Sequence, residues 1–242
     1  MKMLQYSTAR LFYYKKQTLL YCLFSGFSAL LLLISFNLYH LQTTLYQQLN
    51  ERIQLFDASE IKENLPSANV VQDFYVFMIV GLLGVFGLFY FIFFLHSLRK
   101  NRFELINWRL AGLTKTKIFL FLFWQQILPI VLSCATLFLV VFSFQTIYQE
   151  LLQKINLMIL ELFELPNLSS ALSSHSGFSI FVDQQTFFKI DFISDTFITD
   201  TVKSIGQTLM SLILISTVLS IGLFLIFNQI SKRKKGLFDE PR

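Results

Sequence analysis

Few side chains in this 242-residue chain have the types and spacing that chemistry needs. Its three histidines, His40, His96 and His175, lie far apart in sequence. No HExxH metal helix, no GxSxG nucleophile elbow and no paired carboxylate motif accompanies them. Cys22 and Cys134 each sit inside a hydrophobic run, without a CxxC partner or a metal-ligating neighbour. They read as small buried apolar groups, and no metal site is expected. No GxxxxGK[ST] loop is present to cradle a nucleotide. What remains is residues 99–118, RKNRFELINWRLAGLTKTKI. Within it Phe103, Ile106, Leu110 and Leu113 fall at i, i+3, i+7 and i+10, an apolar stripe along a helix of about three turns. Arg102, Glu104, Trp108 and Arg109 lie off that stripe. Gly112 suits a left-handed helix end, and Thr114 suits the cap of a following helix. The chemistry such a segment offers is docking on another protein. A solvated basic loop would explain its charges, but not the stripe or the glycine followed by a hydroxyl.

The elements that must position this segment are hydrophobic. The chain is 54% hydrophobic, holds 29 phenylalanines and is only 14% charged, against roughly a quarter in a soluble domain. No Asp, Glu, Lys or Arg occurs in residues 17–50, 74–98, 118–149 or 204–231. Each run exceeds the ~20 residues that cross ~30 Å of hydrocarbon as a helix. In lipid every backbone group must be paired internally, and the alternation of a membrane barrel is absent, so the spans are helical. The first run is too long for a signal-peptide core and lacks a cleavage site, so it reads as a retained span. The fold class expected is an all-α polytopic membrane protein with four transmembrane helices.

Charge sets the expected orientation, because short cytoplasmic loops accumulate Lys and Arg. Lys2, Arg10, Lys15 and Lys16 precede the first span. Arg99, Lys100, Arg102, Arg109, Lys115 and Lys117 surround the single acid Glu104 between the second and third. Lys232, Arg233, Lys234 and Lys235 follow the fourth. The other two loops are acidic. Both termini and the middle segment are therefore expected in the cytoplasm of a multi-pass cell-membrane protein. The net charge of +5 arises from these flanks and forms no single basic patch with interleaved aromatics, so nucleic acid is not an expected partner.

The resulting organisation is an amphipathic elbow helix over 1–17, spans over 18–39, 74–98, 118–145 and 204–229, external loops over 40–73 and 146–203, the cytoplasmic segment 99–117 and a tail over 230–242. In the elbow, Leu4, Leu11 and Tyr14 are expected against lipid, with Arg10 and the lysine pair in water. Helical apolar spacing continues past the first span through Leu41, Leu45, Leu49 and Ile53, and past the third through Leu151, Ile155, Met158 and Leu162. Both read as stalk helices outside the membrane. Residues 57–69, holding Pro66, should break the first, and Pro129 should kink the third span. Residues 167–200 have β-type composition, which suits a small strand-containing cap or a membrane-surface loop. Gly81, Gly84 and Gly87 sit three apart in the second span and read as helix-packing positions. Ser211, Ser216, Ser220 and Gly222 give the fourth span small residues.

The run RFELINWRLAGLTKTKI, residues 102–118, resembles the cytoplasmic signature of the FtsX-like permease family, the membrane subunits of MacB-type (type VII) ABC transporters. Glu104, Arg109, Ala111, Gly112, Thr114, Lys117 and Ile118 occupy its positions. ARLFYYKKQTL before the first span and the order of spans are similar too, so the resemblance covers the membrane frame, around half the chain. The chain departs from the family pattern at Gln125 and Gln126, where a Glu is common, and in its short first external loop. The resemblance implies a non-catalytic subunit with no cofactor of its own. A separate cytoplasmic ABC ATPase, carrying ATP and magnesium, would dock on Arg102, Phe103, Glu104, Ile106, Arg109, Leu110, Gly112 and Leu113. A second permease subunit, identical or not, and membrane lipid would be its other partners. The output would be extracellular motion, or export or extraction of a peptide or lipid-soluble cargo. The FtsX branch implies instead mechanical control of cell-wall hydrolases. Richness in Phe, Ile, Lys and Gln suits a Gram-positive-like bacterium.

Other classes fit less well. A membrane-embedded enzyme would need the scattered histidines to converge. An ion-coupled carrier normally places ionisable groups within its spans, and these four runs hold no Asp, Glu, Lys or Arg. A scaffold that tethers partners without an ATPase stays open.

Overall fold

The structure is a computed structural model that describes residues 2–55, 66–162 and 195–236. Those residues form seven helices: α1 (Lys2–Tyr13), α2 (Lys15–Leu55), α3 (Pro66–Lys100), α4 (Arg102–Leu110), α5 (Lys115–Ser143), α6 (Gln145–Leu162) and α7 (Asp195–Gly236). Four of them are long and apolar enough to cross a membrane, over Lys15–Thr44, Val70–Lys100, Lys115–Ser143 and Ile198–Phe227. The chain thus has the four spans of a multi-pass membrane protein. No more than 33% of each span's most apolar stretch is buried within the chain, which leaves wide apolar faces suited to lipid.

The helices outrun the hydrophobic runs that define them. α2 has 41 residues, about 60 Å at ~1.5 Å per residue, twice the ~30 Å of hydrocarbon. α7 has 42 residues and starts at Asp195, inside the segment assigned by sequence to an external loop. Of the break expected over 57–69, residues 57–65 lie outside the described residues, and Pro66 opens α3. Proline suits a first helical position, where its missing N–H has no helical acceptor to lose. Asn69 is consequently helical. α5 runs as one helix through Pro129. The cap or surface loop expected over 167–200 lies mostly outside the described residues; its last part, from Asp195, is helical.

The chain divides into two compact units. The first comprises residues 1–30, 82–138 and 208–242, and its core is aromatic. Phe24 stacks on Phe86 with ring centroids 6.0 Å apart and tilts against Phe89 at 4.8 Å. Tyr21 meets Phe93 edge-on at 5.3 Å, and Tyr90 stacks on Phe94 at 6.1 Å. Such pairs hold helices together where lipid offers no hydrophobic drive. Small polar side chains complete the contacts. The Ser25 hydroxyl donates to Ser133 at 2.9 Å, and Ser133 donates to the Cys22 carbonyl at 2.9 Å. Gly26 of α2 lies opposite Ser133 of α5, where an added Cβ would make ordinary contact at 3.7 Å. Tyr90 and Ser220 share a 2.5 Å hydrogen bond between α3 and α7.

The second unit comprises residues 31–81 and 139–207. Leu38, Val71, Tyr75 and Leu152 form its core, flanked by Ile34, Phe74, Tyr148, Ile155 and Ile159. Of the apolar spacing read beyond the third span, Ile155 joins this core, whereas Leu151 and Met158 are exposed; the packed face of α6 runs instead through Tyr148, Leu152, Ile155 and Ile159. Hydrogen bonds frame this core: Asn37 to Tyr148 at 2.6 Å, Tyr75 to Asn156 at 3.1 Å and Gln72 to Thr43 at 3.3 Å. His40 and Gln207 are 2.8 Å apart.

Candidate docking site

The site is α4, a nine-residue helix between two spans. Isolated helices this short are unstable in water, so its neighbours must hold it. The chain passes from α3 to α4 through Asn101, whose N–H donates to the Ser97 carbonyl at 3.0 Å and whose own carbonyl accepts from Leu105 at 2.9 Å. At the other end Gly112 has φ of 81°, and the Leu113 N–H reaches back to the Trp108 carbonyl at 3.1 Å. That six-to-one bond with a left-handed glycine is a Schellman ending, and glycine takes the conformation without a Cβ penalty. Thr114 stands immediately before α5, and its carbonyl accepts from Ile118 at 3.2 Å.

The roll of α4 is fixed by its inward face. Asn101 is buried, Leu105 is 6% exposed, and the Trp108 ring meets Phe121 of α5 edge-on at 4.7 Å. Trp108, which the sequence pattern set aside as off the apolar stripe, is therefore an anchor. Phe103, the first residue of the stripe, is 80% exposed and turns away from the chain. Gly112 is exposed and Leu113 half-buried. Arg102, Ile106, Arg109 and Leu110 belong to the same short helical segment.

Glu104 is partly exposed but not left to water alone. It pairs with Arg10 of α1. The guanidinium is forked: Nη1 donates to Glu104 Oε2, and Nη2 donates to Asn101 Oδ1 at 2.6 Å. Asn101 Nδ2 donates in turn to Ser97 Oγ at 3.3 Å. The cation also lies over the rings of Tyr14, at 5.5 Å, and Phe121, at 5.9 Å. Arg10 was expected in water; it is 6% exposed, because the one acid of the basic segment draws it inward. Glu104 sits in the first turn of α4 and Arg10 in the last turn of α1, where each helix dipole favours its charge. Beside this hub, Lys100 Nζ donates to Gln17 at 3.0 Å and sits 3.9 Å over the Tyr14 ring. Arg10, Asn101, Leu105 and Trp108 were thus missed as parts of the site. The available signal was Glu104, a lone acid among six basic residues, which needs a specific partner.

The glycines of α3 do not act together. A side chain at Gly87 would touch Leu219 and Ile215 of α7, at 3.6 and 3.7 Å, whereas at Gly81 and Gly84 it would meet nothing within 4 Å. Three-residue steps on an α-helix drift by ~60° each, so the three point in different directions.

Among the described residues, no group of three or more His, Cys, Asp or Glu side chains converges on a metal-sized site. His96 is exposed, and His175 lies outside the described residues. The arrangement of α4 offers a small presented surface with a pinned back. Against known proteins, no family model, no curated protein and no solved structure matches this chain.

Proposed function

We propose that the chain is the membrane subunit of an ABC-type transporter of the FtsX-like kind, with α4 as the docking helix for a separate cytoplasmic ATPase. The observation that carries this reading is the roll of α4, with Leu105 and Trp108 held inward and Phe103 80% exposed outward. A large aromatic ring presented on a pinned helix suits burial in a partner's pocket. The resemblance of residues 102–118 to the permease signature names the class of partner. In this reading the basic flanks put α4 and both termini in the cytoplasm of a cell membrane. The subunit has no catalytic site, and a second permease copy or homologue completes the complex. ATP with magnesium is hydrolysed on the ATPase, and its closure drives the docked helices. The long α2, α6 and α7 then carry motion outward as rigid elements. The work done is export or extraction of a peptide or lipid-soluble cargo. The packing of α6 against α2 and α3 around Leu38, Tyr75 and Leu152 also favours a second reading, mechanical signalling to an extracellular hydrolase.

The test is purification of the tagged full chain in mild detergent from its native host. An ATPase with magnesium-dependent ATP hydrolysis should co-purify, and Phe103→Asp should release it without lowering the yield of folded membrane protein. If wild type brings down no such ATPase, or Phe103→Asp retains it fully, the transporter reading fails and a scaffold without an ATPase takes its place.

A further inference from the structure

α4 is bound to more than the two spans that flank it in sequence. One buried cation reaches across from α1. Its two terminal nitrogens diverge, to Glu104 in the first turn of α4 and to Asn101 at the α3–α4 junction. Its flat faces lie near Tyr14, at the α1–α2 junction, and Phe121 of α5. Ser7, one turn earlier in α1, is buried and donates to the Phe121 carbonyl at 3.5 Å. The α1–α2 junction, the α3–α4 junction, α4 and α5 therefore all meet this guanidinium. A single lysine ammonium cannot copy the fork, since it offers a point charge without two fixed divergent donors.

We infer that Arg10 is the positioning residue of the docking helix: it locks α1 to α4, so that a push on the Phe103 face moves α1 and the start of α2 together with α3 and α5. The functional part of this inference rests on the docking reading above, whereas the lock itself does not. Without Arg10, the forked link from α1 to α4 and the α3–α4 junction is lost, while Leu105, Trp108 and the Ser7 bond remain. Both segments then loosen together. With the charges exchanged, Glu at position 10 can accept from the Asn101 amide after its side chain rotates by half a turn, and Arg at position 104 supplies the cation. The bridge is remade in reverse.

The experiment is amide hydrogen exchange on the full chain in lipid nanodiscs, followed by ATPase capture with the same proteins. Arg10→Ala should speed exchange over residues 2–13 and 102–110 by about ten-fold or more. Arg10→Lys should give a smaller rise in both, and the R10E/E104R exchange should return both toward wild type. If Arg10→Ala does not fold, Arg10→Lys and Glu104→Gln carry the same comparison, because each weakens the fork while keeping size and stem. Acceleration in α1 alone, in neither segment, or without recovery in the exchanged pair overturns the lock. Acceleration in both with ATPase capture and stimulation unchanged overturns the positioning role and leaves docking standing. Failure of wild type to capture an ATPase sinks the docking reading, while the exchange data still decide the lock.

Discussion

Glu104 keeps 44% of its side-chain surface exposed, whereas Arg10, its ion-pair partner, keeps only 6%. The two charges are therefore unequal in what their loss leaves behind. Removing Glu104 strands a buried cation with one neutral acceptor, Asn101. Removing Arg10 leaves a carboxylate that water can solvate. Breaking a fully buried pair from one side costs ~3–5 kcal/mol, and the exposure of Glu104 reduces this. We expect Glu104→Ala to destabilise by about 2 kcal/mol, and Arg10→Met, which keeps an apolar stem, by about 1 kcal/mol. The double variant Arg10→Met/Glu104→Ala should be more stable than Glu104→Ala alone. Thermal unfolding in detergent, read by intrinsic fluorescence, measures all three. A double variant worse than either single would show that the pair is not asymmetric in this way.

Phe103 and Trp108 stand on opposite faces of one short helix, and substitutions should separate stability from docking. Phe103→Ser removes an exposed ring and should alter stability by no more than ~0.5 kcal/mol. Trp108→Ala removes the edge contact with Phe121 and should cost about 2 kcal/mol or more, less than a fully buried tryptophan because the ring is only half-buried. Melting temperature and ATPase capture, taken together, check this. Should Phe103→Ser prove as destabilising as Trp108→Ala, the roll described for α4 is incorrect.

The sequence was clearest where composition alone decides. Four uncharged runs longer than the hydrocarbon core permit only spanning helices, and apolar spacing past residues 44 and 143 foreshadowed helices that continue beyond the spans. Helix ends were less legible. Pro66 has opposite meanings inside a helix and at its first position, and Asp195 to Lys203 is polar enough to look like a loop while still forming regular helix. The site was half legible. Periodicity found the stripe that begins at Phe103 but could not give its direction, because an apolar stripe on a short helix suits its own core or a partner equally. The inward set, Asn101, Leu105 and Trp108, mixes amide, aliphatic and indole and has no hydrophobic signature. Arg10 was hidden by a distance of 94 positions from Glu104, and by the positive-inside rule, which already accounted for its charge.

Gly112 is required for backbone conformation and not for space. Its φ is 81° and a Cβ there would touch nothing within 4 Å. Cost should therefore follow tolerance of the left-handed region, not side-chain volume. Gly112→Asn should be mildest, Gly112→Ala should cost about 1 kcal/mol, and Gly112→Val should cost more because branching at Cβ opposes positive φ. Chemical denaturation of the three variants in detergent gives the order. A ranking by size, with Asn worse than Ala, would contradict it.

Tyr148 ties α6 to α2 by accepting from Asn37 Nδ2 at 2.6 Å. Burial raises the Tyr148 phenol well above its ordinary range, and the Asn37 bond offsets only part of this. The folded state thus holds the proton more tightly than the unfolded chain, whose phenol ionises near pH 10. The sign follows from that ordering. The stability linked to this group is complete below about pH 10 and declines as pH rises above it, because only the unfolded state then gains by releasing the proton. Tyr148→Phe should cost about 1–2 kcal/mol at neutral pH, since Asn37 is left with a buried unpaired donor. The same variant should flatten the loss of stability between about pH 10 and 11. Unfolding midpoints of wild type and Tyr148→Phe across pH 8–11 test both halves. Parallel curves for the two proteins would mean that Tyr148 does not contribute to the alkaline transition.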